Sequence, residues 1–505
     1  MNKKVGIIDL GSNTARLVIY QQYEHSQLYE VDNIKRVLRL SGHLQEGRFD
    51  EAGIEKTLAC MRQFKDMLDA SNVTEIKGVA TAAFRQAENG AELAKRIETE
   101  TGIPIKILSG EEEARYGYLA VMHSMSVNEG ITVDIGGGST EVTYFQNRQL
   151  KHCTSLPFGI VSLTKLFLND DPPQPYELAR LSQFIKDQLS VLDWIKDKQC
   201  PVIAIGGTAR NLAKVDQRQR NYSLGSVHQY SIAPDQTARI LQQLSALPCE
   251  ERKQIPGLSK DRADVIVAGI AVFSCLLEYV GSNSLLISNK GLRDGVLYET
   301  VGQDQPVPAV RDIRRNSAEL FMSRYQVDKQ IARHVADLAV RSFDEGRRLQ
   351  LHPYGNEERE LLETAALLHD VGRSINLYEA SQHTYYLLSN VLLLGFSHRE
   401  RLLISMISSY KNNKQLTSQL LKHKDIMIKS DKETIEKLGH LLLLAKTLDR
   451  SKTQRIKELR WRDTPQGIVL QCTSERDELL EFSLLEDILA KLTKVFKRPF
   501  SYEVS

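Results

Sequence analysis

The chain carries one short pattern twice. Residues 5–20 read VGIIDLGSNTARLVIY and residues 131–145 read ITVDIGGGSTEVTYF. In register, Asp9 falls on Asp134, Gly11 on Gly136, Asn13 on Gly138 and Thr14 on Ser139. Each copy is an apolar strand ending in Asp, a turn of small and hydroxyl residues, and a second apolar strand, which reads as a β-hairpin. One such turn is what any tight hairpin would use. Two in register predict duplicated lobes with a cleft between them. Small turn residues let backbone N–H groups converge on an anion, and hydroxyls add donors. The candidate phosphate-binding residues are therefore Gly11, Ser12, Asn13 and Thr14 in one copy and Gly136, Gly137, Gly138 and Ser139 in the other. The Asp at each strand end can hold a divalent cation, or a water on it, against phosphate charge.

The segments between and after the copies are of α/β type. Residues 54–70 have helical apolar spacing and residues 73–81 read as a strand. VIAIGGTARNLAKV (202–215) is strand, glycine pair, helix, and at Gly207 a backbone can approach a ligand closely. A plain strand-to-helix turn has the same local signature. No G-x-x-x-x-G-K-[ST] occurs, which disfavours a Walker-type NTPase.

At 505 residues the chain needs several cores. Its formal charge of +2 creates no global field for a polyanion, so any grip on one is local and no nucleic-acid partner is expected. Cys60, Cys153, Cys200, Cys249, Cys275 and Cys472 show no C-x-x-C spacing and read as buried thiols in a reducing compartment. MNKKVGIIDLGSN runs straight into a strand, and no apolar run reaches the roughly 20 residues of a bilayer span. The expectation is a cytoplasmic protein without a membrane partner.

Taken together, DLGSNT, DIGGGSTE, ATAAFR (80–85), SGEEEAR (109–115), AIGGTARN (204–211) and GLRDGVLYE (291–299) resemble the Ppx/GppA phosphatases, over residues 5 to about 300 and in family order. These are exopolyphosphatases and guanosine pentaphosphate phosphohydrolases of the actin-like ATPase (ribonuclease H-like) fold superfamily. The resemblance implies lobe I over 1–125 and lobe II over 126–301. It assigns catalysis to the glutamate preceding Ala-Arg, here Glu113, whose place near a helix start favours an ionised base. Glu112 instead makes an S-x-x-E capping box with Ser109. The resemblance places Mg²⁺, with Mn²⁺ as a candidate substitute, on Asp134 and Glu141 with Asp9 opposite. Both Asp134 and Glu141 face the cleft if the Gly-rich turn displaces the period-two alternation. Arg85 would present a fork to phosphate oxygens, and Arg293 belongs to a family element of less defined role.

GQDQPVPAVRD (302–312) reads as a linker. Beyond it, 311–458 is helical and 459–505 reads as a small α/β cap. His334, His369 with Asp370, and Asp449 follow an H…HD…D order that resembles the HD phosphohydrolases, with His383 as an extra candidate ligand and a second metal implied. In two-domain Ppx/GppA proteins such a domain is usually a degenerate relic; this sequence keeps all four ligand types. Lysine-rich residues 411–432 and basic residues 449–462 are solvated helix faces or a track for a polyanion. The expected activity is Mg²⁺-dependent, processive release of terminal phosphate from inorganic polyphosphate by a homodimer. Three alternatives stand beside it: guanosine pentaphosphate 5′-phosphohydrolysis at the same site, nucleotide hydrolysis at the HD positions, and alarmone sensing.

Overall fold

The computed structural model describes residues 3–23, 27–302, 307–474 and 480–504. They form two compact units: Met1–Asn221 with Gly225–Ile313, and Tyr222–Leu224 with Arg314–Ser505.

Unit 1 rests on two sheets. The first lobe contributes β1 (Lys4–Leu10), β2 (Thr14–Tyr23), β3 (Gln27–Val37), a two-residue ribbon β4 (Leu44–Gln45) and β5 (Arg48–Phe49), β6 (Glu75–Ala80) and β7 (Ile105–Ile107). The second contributes β8 (Gly130–Ile135), β9 (Thr140–Gln146), β10 (Gln149–Leu156), β11 (Val202–Ile205), β12 (Tyr230–Ile232) and β13 (Leu285–Ile287). The strand orders are β3-β2-β1-β6-β7 and β10-β9-β8-β11-β13-β12. Each is a three-strand antiparallel meander followed by two parallel strands, with β12 added at one edge of the second. The duplication read from two turns therefore extends to whole sheets.

Helices cover both faces, so the central strands are apolar on both sides. Alternate residues of β1 enter different cores. Ile8 and Leu10 pack with Leu58, Met61, Phe64 and Leu68 of the helix Glu51–Ala70. Val5 and Ile7 pack with Tyr116, Val296 and Leu297. The strand is thus held rigidly from both sides, and with it the Asp9 that ends its run. Among the described residues no helix is long and apolar enough to cross a membrane. The cysteines are unpaired, with Cys153 and Cys249 only partly buried.

Unit 2 is mainly helical, with a small sheet of β14 (Ile456–Thr464), β15 (Gly467–Ser474) and β16 (Phe500–Val504). One core runs through it, from Phe343, Leu362 and Leu441 in the helices to Trp461, Leu470 and Leu485 in the C-terminal segment. The Trp461 backbone N–H donates to Glu345 at 2.9 Å. Residues 459–505 therefore share their interior with the helices. Tyr222–Leu224, far earlier in sequence, also belongs here: the Tyr222 hydroxyl bonds His398 Nδ1 at 2.8 Å and Ser223 N–H donates to Asp425 at 2.8 Å. Within the expected linker, residues 303–306 lie outside the described residues, and Val310 already opens a helix to Arg324.

Candidate active site

Both hairpin turns close the same way. Gly11 N–H donates to Thr14 O at 3.0 Å, and Gly136 N–H to Ser139 O at 2.9 Å. Their carbonyls are tied back by the chain that follows. Ser12 O accepts from Ser41 and Asn13 O from Leu38 and Arg39; Gly136 O accepts from Ile160 and Gly137 O from Val161. With these carbonyls and the Gly11 and Gly136 amides committed, the remaining turn amides are the groups that could meet an anion. A Cβ at Gly159 would lie 2.5 Å from Gly136 O, so only glycine lets the supporting loop come this close. The two turns also meet: a Cβ placed at Gly137 would be 3.7 Å from Ser12 Cβ.

Cross-strand pairing sets the carboxylates. Asp134 lies directly opposite Glu141 in the β8–β9 ladder, and directly opposed residues share a face. No displaced alternation is needed, which corrects the condition drawn from the sequence. Glu141 is almost fully buried and accepts from the Ser155 hydroxyl at 2.9 Å. Burial and the Asp134 charge push its carboxyl up to about 7. Burial also raises Asp134, with Arg210 and Arg262 opposing.

Glu113 sits on the helix Gly110–Met122, which Ser109 and Glu112 cap reciprocally. The division into capping Glu112 and inward Glu113 is therefore visible. Arg85 Nη1 reaches Glu113 Oε2 at 2.7 Å and donates to Leu108 O at 3.0 Å. The helix start does not keep Glu113 acidic. Burial, with Glu141 next and Asp134 adding, raises it to about 8 against the opposing Arg85. Desolvation outweighs the dipole because the side chain is only 15 % exposed.

Asp9 is held differently from the other predicted metal ligands. Its carboxylate lies 3.5 Å from Arg293 Nη1 and opposite Arg16 in the β1–β2 ladder, although burial still raises it. Arg293 and Arg16 offset its charge, as Arg210, Arg262 and Arg293 do for Asp134. Among the described residues no three His, Cys, Asp or Glu side chains gather as a metal site. Mg²⁺ commonly takes only one or two carboxylates, with waters and substrate phosphates completing the shell. Asp134, half-buried, and Glu141, buried opposite it, fit that demand.

Gly207 lies in the first turn of the helix Gly206–Gln219, but a Cβ there would meet Arg262 Nη2 at 2.7 Å. Gly206 has φ +90°, and a Cβ there would lie 2.4 Å from Asp134 Oδ1. The glycine pair makes room for a guanidinium and a carboxylate. Sequence reasoning missed Arg16, Ser155, Arg210 and Arg262. Only Arg16 had a readable signal, its place opposite Asp9 in a predicted hairpin.

The expected metal site of unit 2 is not assembled. His369 Nε2 is 3.5 Å from Asp370, but Asp370 is taken up by Lys452 at 3.1 Å and Arg373 at 3.7 Å. Lys446 adds a further positive charge beside both. A metal ion there would be repelled by these fixed cations. His334 and Asp449 sense each other's charge but leave Nε2 and Oδ2 buried without partners. His383 lies partly buried on the helix Ala380–Asn390, outside any metal-ligand group.

Glu113 held by Arg85 with its carboxyl raised by burial, Glu141 and Asp134, together with two like turns that meet in a duplicated α/β fold, makes an arrangement suited to phosphoryl transfer. The Ppx/GppA phosphatase family profile matches residues 18–304, and its domain III profile matches 313–491. The chain belongs to the Ppx/GppA phosphatase family. Guanosine-5′-triphosphate,3′-diphosphate pyrophosphatases of Aeromonas salmonicida and Aeromonas hydrophila are 29 % and 30 % identical to it, over 79 % of both chains. A solved Aquifex aeolicus family member is 32 % identical, covering 61 % of this chain and 100 % of its own at TM-score 0.56. An exopolyphosphatase from Cytophaga hutchinsonii is 25 % identical, covering 60 % and 99 % at the same TM-score. As its homologues are named for doing, this enzyme hydrolyses phosphoanhydride bonds.

Proposed function

We propose that this chain is an exopolyphosphatase that removes the terminal phosphate of inorganic polyphosphate, using Glu113 as its general base. The observation that carries the reading is the Glu113 carboxylate on Arg85, beside Glu141 and Asp134 and next to paired anion-binding turns. A carboxyl raised toward neutrality is matched to taking a proton from water near neutral pH. Water attacks the terminal phosphorus, its proton passes to Glu113, and the bond to the bridging oxygen breaks. Phosphate and a chain one unit shorter leave. The turns of Gly11–Thr14 and Gly136–Ser139 hold the phosphoryl oxygens, and Arg16 and Arg293 offset the charge of the following phosphates. Mg²⁺ bound at Asp134 and Glu141 would supply further charge neutralisation on the reacting group. Arg85 holds Glu113 in place and favours its ionised form.

The names of the Aeromonas relatives favour a second reading at the same residues, 5′-phosphate removal from guanosine pentaphosphate. Phosphate release from long-chain polyphosphate and from guanosine pentaphosphate, measured side by side with Mg²⁺, tests both. A higher kcat/KM on polyphosphate supports the first reading. A higher value on the pentaphosphate transfers the assignment to the second, and no release from either overturns both.

A further inference from the structure

Arg85 is carried by the helix Ala82–Gln86, which has five residues. A helix this short has little stability of its own, so its place is set by what it is fastened to. Phe84 is buried and meets Phe49 of β5 edge-on, with ring centroids 5.3 Å apart. Glu88 N–H donates to Gly47 O at 2.8 Å. A Cβ at Gly90 would lie 2.2 Å from Phe84 O, so the chain that leaves the helix turns tightly back against it. In that turn stands Asn89, also buried. It occupies the N-cap position of the helix Gly90–Thr101, where an asparagine ordinarily accepts from the first helical turn. Its side chain makes no such bond. Instead Oδ1 accepts from Phe49 N–H at 2.8 Å, and Nδ2 donates to Phe49 O at 3.0 Å. One amide thus satisfies both backbone groups of a buried residue. Phe49 directly precedes Asp50, which caps the 20-residue helix Glu51–Ala70, so Asn89 is tied to a rigid element.

We propose that Asn89 is a positioning residue for hydrolysis: its clamp on Phe49 fixes the short helix that sets Arg85 against Glu113. The forgone cap is the observation that carries this, because a residue placed to stabilise its own helix is spent on a strand of the ribbon instead. The same short helix brings Arg85 Nη1 to 2.7 Å from Glu113 Oε2 and 3.0 Å from Leu108 O. It also places the Gln86 amide nitrogen 3.5 Å from where a Cβ at Gly138 would stand, beside the second turn. Displacements of about 1 Å are enough to disable such an arrangement. The inference rests on the reading of Glu113 as the base.

The test is steady-state phosphate release by the full chain, on whichever of polyphosphate and guanosine pentaphosphate is the better substrate, with melting curves on the same samples. Asn89→Ala should lower kcat by about tenfold or more. It should also move the rise of rate with pH upward, because a displaced Arg85 no longer favours the ionised base. That movement does not depend on how much of the sample is folded. Asn89→Ser keeps a good N-cap but is too short to hold both groups of Phe49, so it should behave as Asn89→Ala does. In an Arg85→Ala background, Asn89→Ala should lower kcat by less than about twofold further. Wild-type kinetics in Asn89→Ser would make the residue a cap only. A lowered Tm with an unmoved pH profile would make it a structural contact only. A full additional loss in the double variant would show that it acts apart from Arg85. Each of these overturns the inference. Glu113→Gln, measured alongside, separates the two levels. If it stays fully active, the base assignment fails and the inference with it; if it is inactive while Asn89→Ala is unaffected, the inference alone fails.

Discussion

The β1–β2 and β8–β9 hairpins share a backbone and differ in the charge they carry. Asp9 and Asp134 end equivalent strands, and both turns close with the same hydrogen bond. Opposite Asp9 stands Arg16; at the same place opposite Asp134 stands Glu141. The third strands continue the contrast, with Lys35 opposite Arg16 and Ser155 opposite Glu141. In the first lobe a guanidinium stands across the ladder from the strand acid, whereas in the second a carboxylate does; Asp134 raises the pKa of Glu141, while Arg210, Arg262 and Arg293 oppose the rise of Asp134 itself. Duplication repeats the turn. Divergence at one cross-strand position sets Arg16 in one hairpin against Glu141 in the other, and on the proposed reading the first offers charge to substrate phosphate and the second a place for a cation.

The largest expected effect concerns the helix Gly110–Met122, which packs against the second hairpin. Glu113→Gln should lower kcat by about 10²–10⁴ while substrate binding persists. If Glu113→Gln stays active and Glu112→Gln is dead, capping residue and base are exchanged. Next, Glu141→Gln should raise the Mg²⁺ needed for half-maximal rate by about tenfold or more. Arg16→Ala should instead raise KM by about tenfold and leave the Mg²⁺ dependence alone. Effects of the opposite assignment, Mg²⁺ dependence moving with Arg16 and KM with Glu141, would refute the division of labour.

Proton linkage gives a smaller, signed effect. The base must be ionised, so at low Mg²⁺ the rate should rise with pH through about 8, and saturating Mg²⁺ should move that limb to lower pH. Stability runs the other way. Folded carboxyls raised to about 7 and about 8 favour the native state most below their unfolded pKa, and that contribution is lost as pH rises through the folded values. The metal-free chain should therefore lose Tm between about pH 5 and about pH 9, and Glu141→Gln should flatten the fall. An identical Tm profile in the two proteins would mean that Glu141 is not ionising over that range.

How much of this was legible in the sequence depends on how far each partner lies along the chain. The hairpins, the Ser109–Glu112 cap and the helix Glu51–Ala70 were readable because their signals are local: period, turn residues, a three-residue spacing. Arg210 and Arg262 were not, because they reach Asp134 only once separate elements of the second lobe are folded. The sequence also suggested an acidic Glu113, since a helix start is local and its burial is not. The surroundings of the H…HD…D residues in unit 2 were hidden for the same reason. Ligand types were present, but nothing local announced that Lys446 and Lys452 would stand beside Asp370.

The smallest prediction asks whether the second hairpin's cation preference is tuned by its own third strand. Ser155 Oγ donates to Glu141 Oε1 at 2.9 Å, a bond that favours the ionised carboxylate. Ser155→Ala removes it without touching the turn or Asp134. A single hydrogen bond of this kind contributes about 1 kcal/mol, so the Mg²⁺ requirement should rise about two- to fivefold, with kcat at saturating Mg²⁺ unchanged. Lys35, at the matching place in the first lobe, is exposed and pairs with Asp261 at 3.4 Å, so Lys35→Ala should leave the Mg²⁺ requirement where it was. Mg²⁺ titrations of phosphate release on the two variants decide between local and global control. Equal shifts in both would mean that the cation responds to the summed charge of the unit, and that the difference between the hairpins is not what places it.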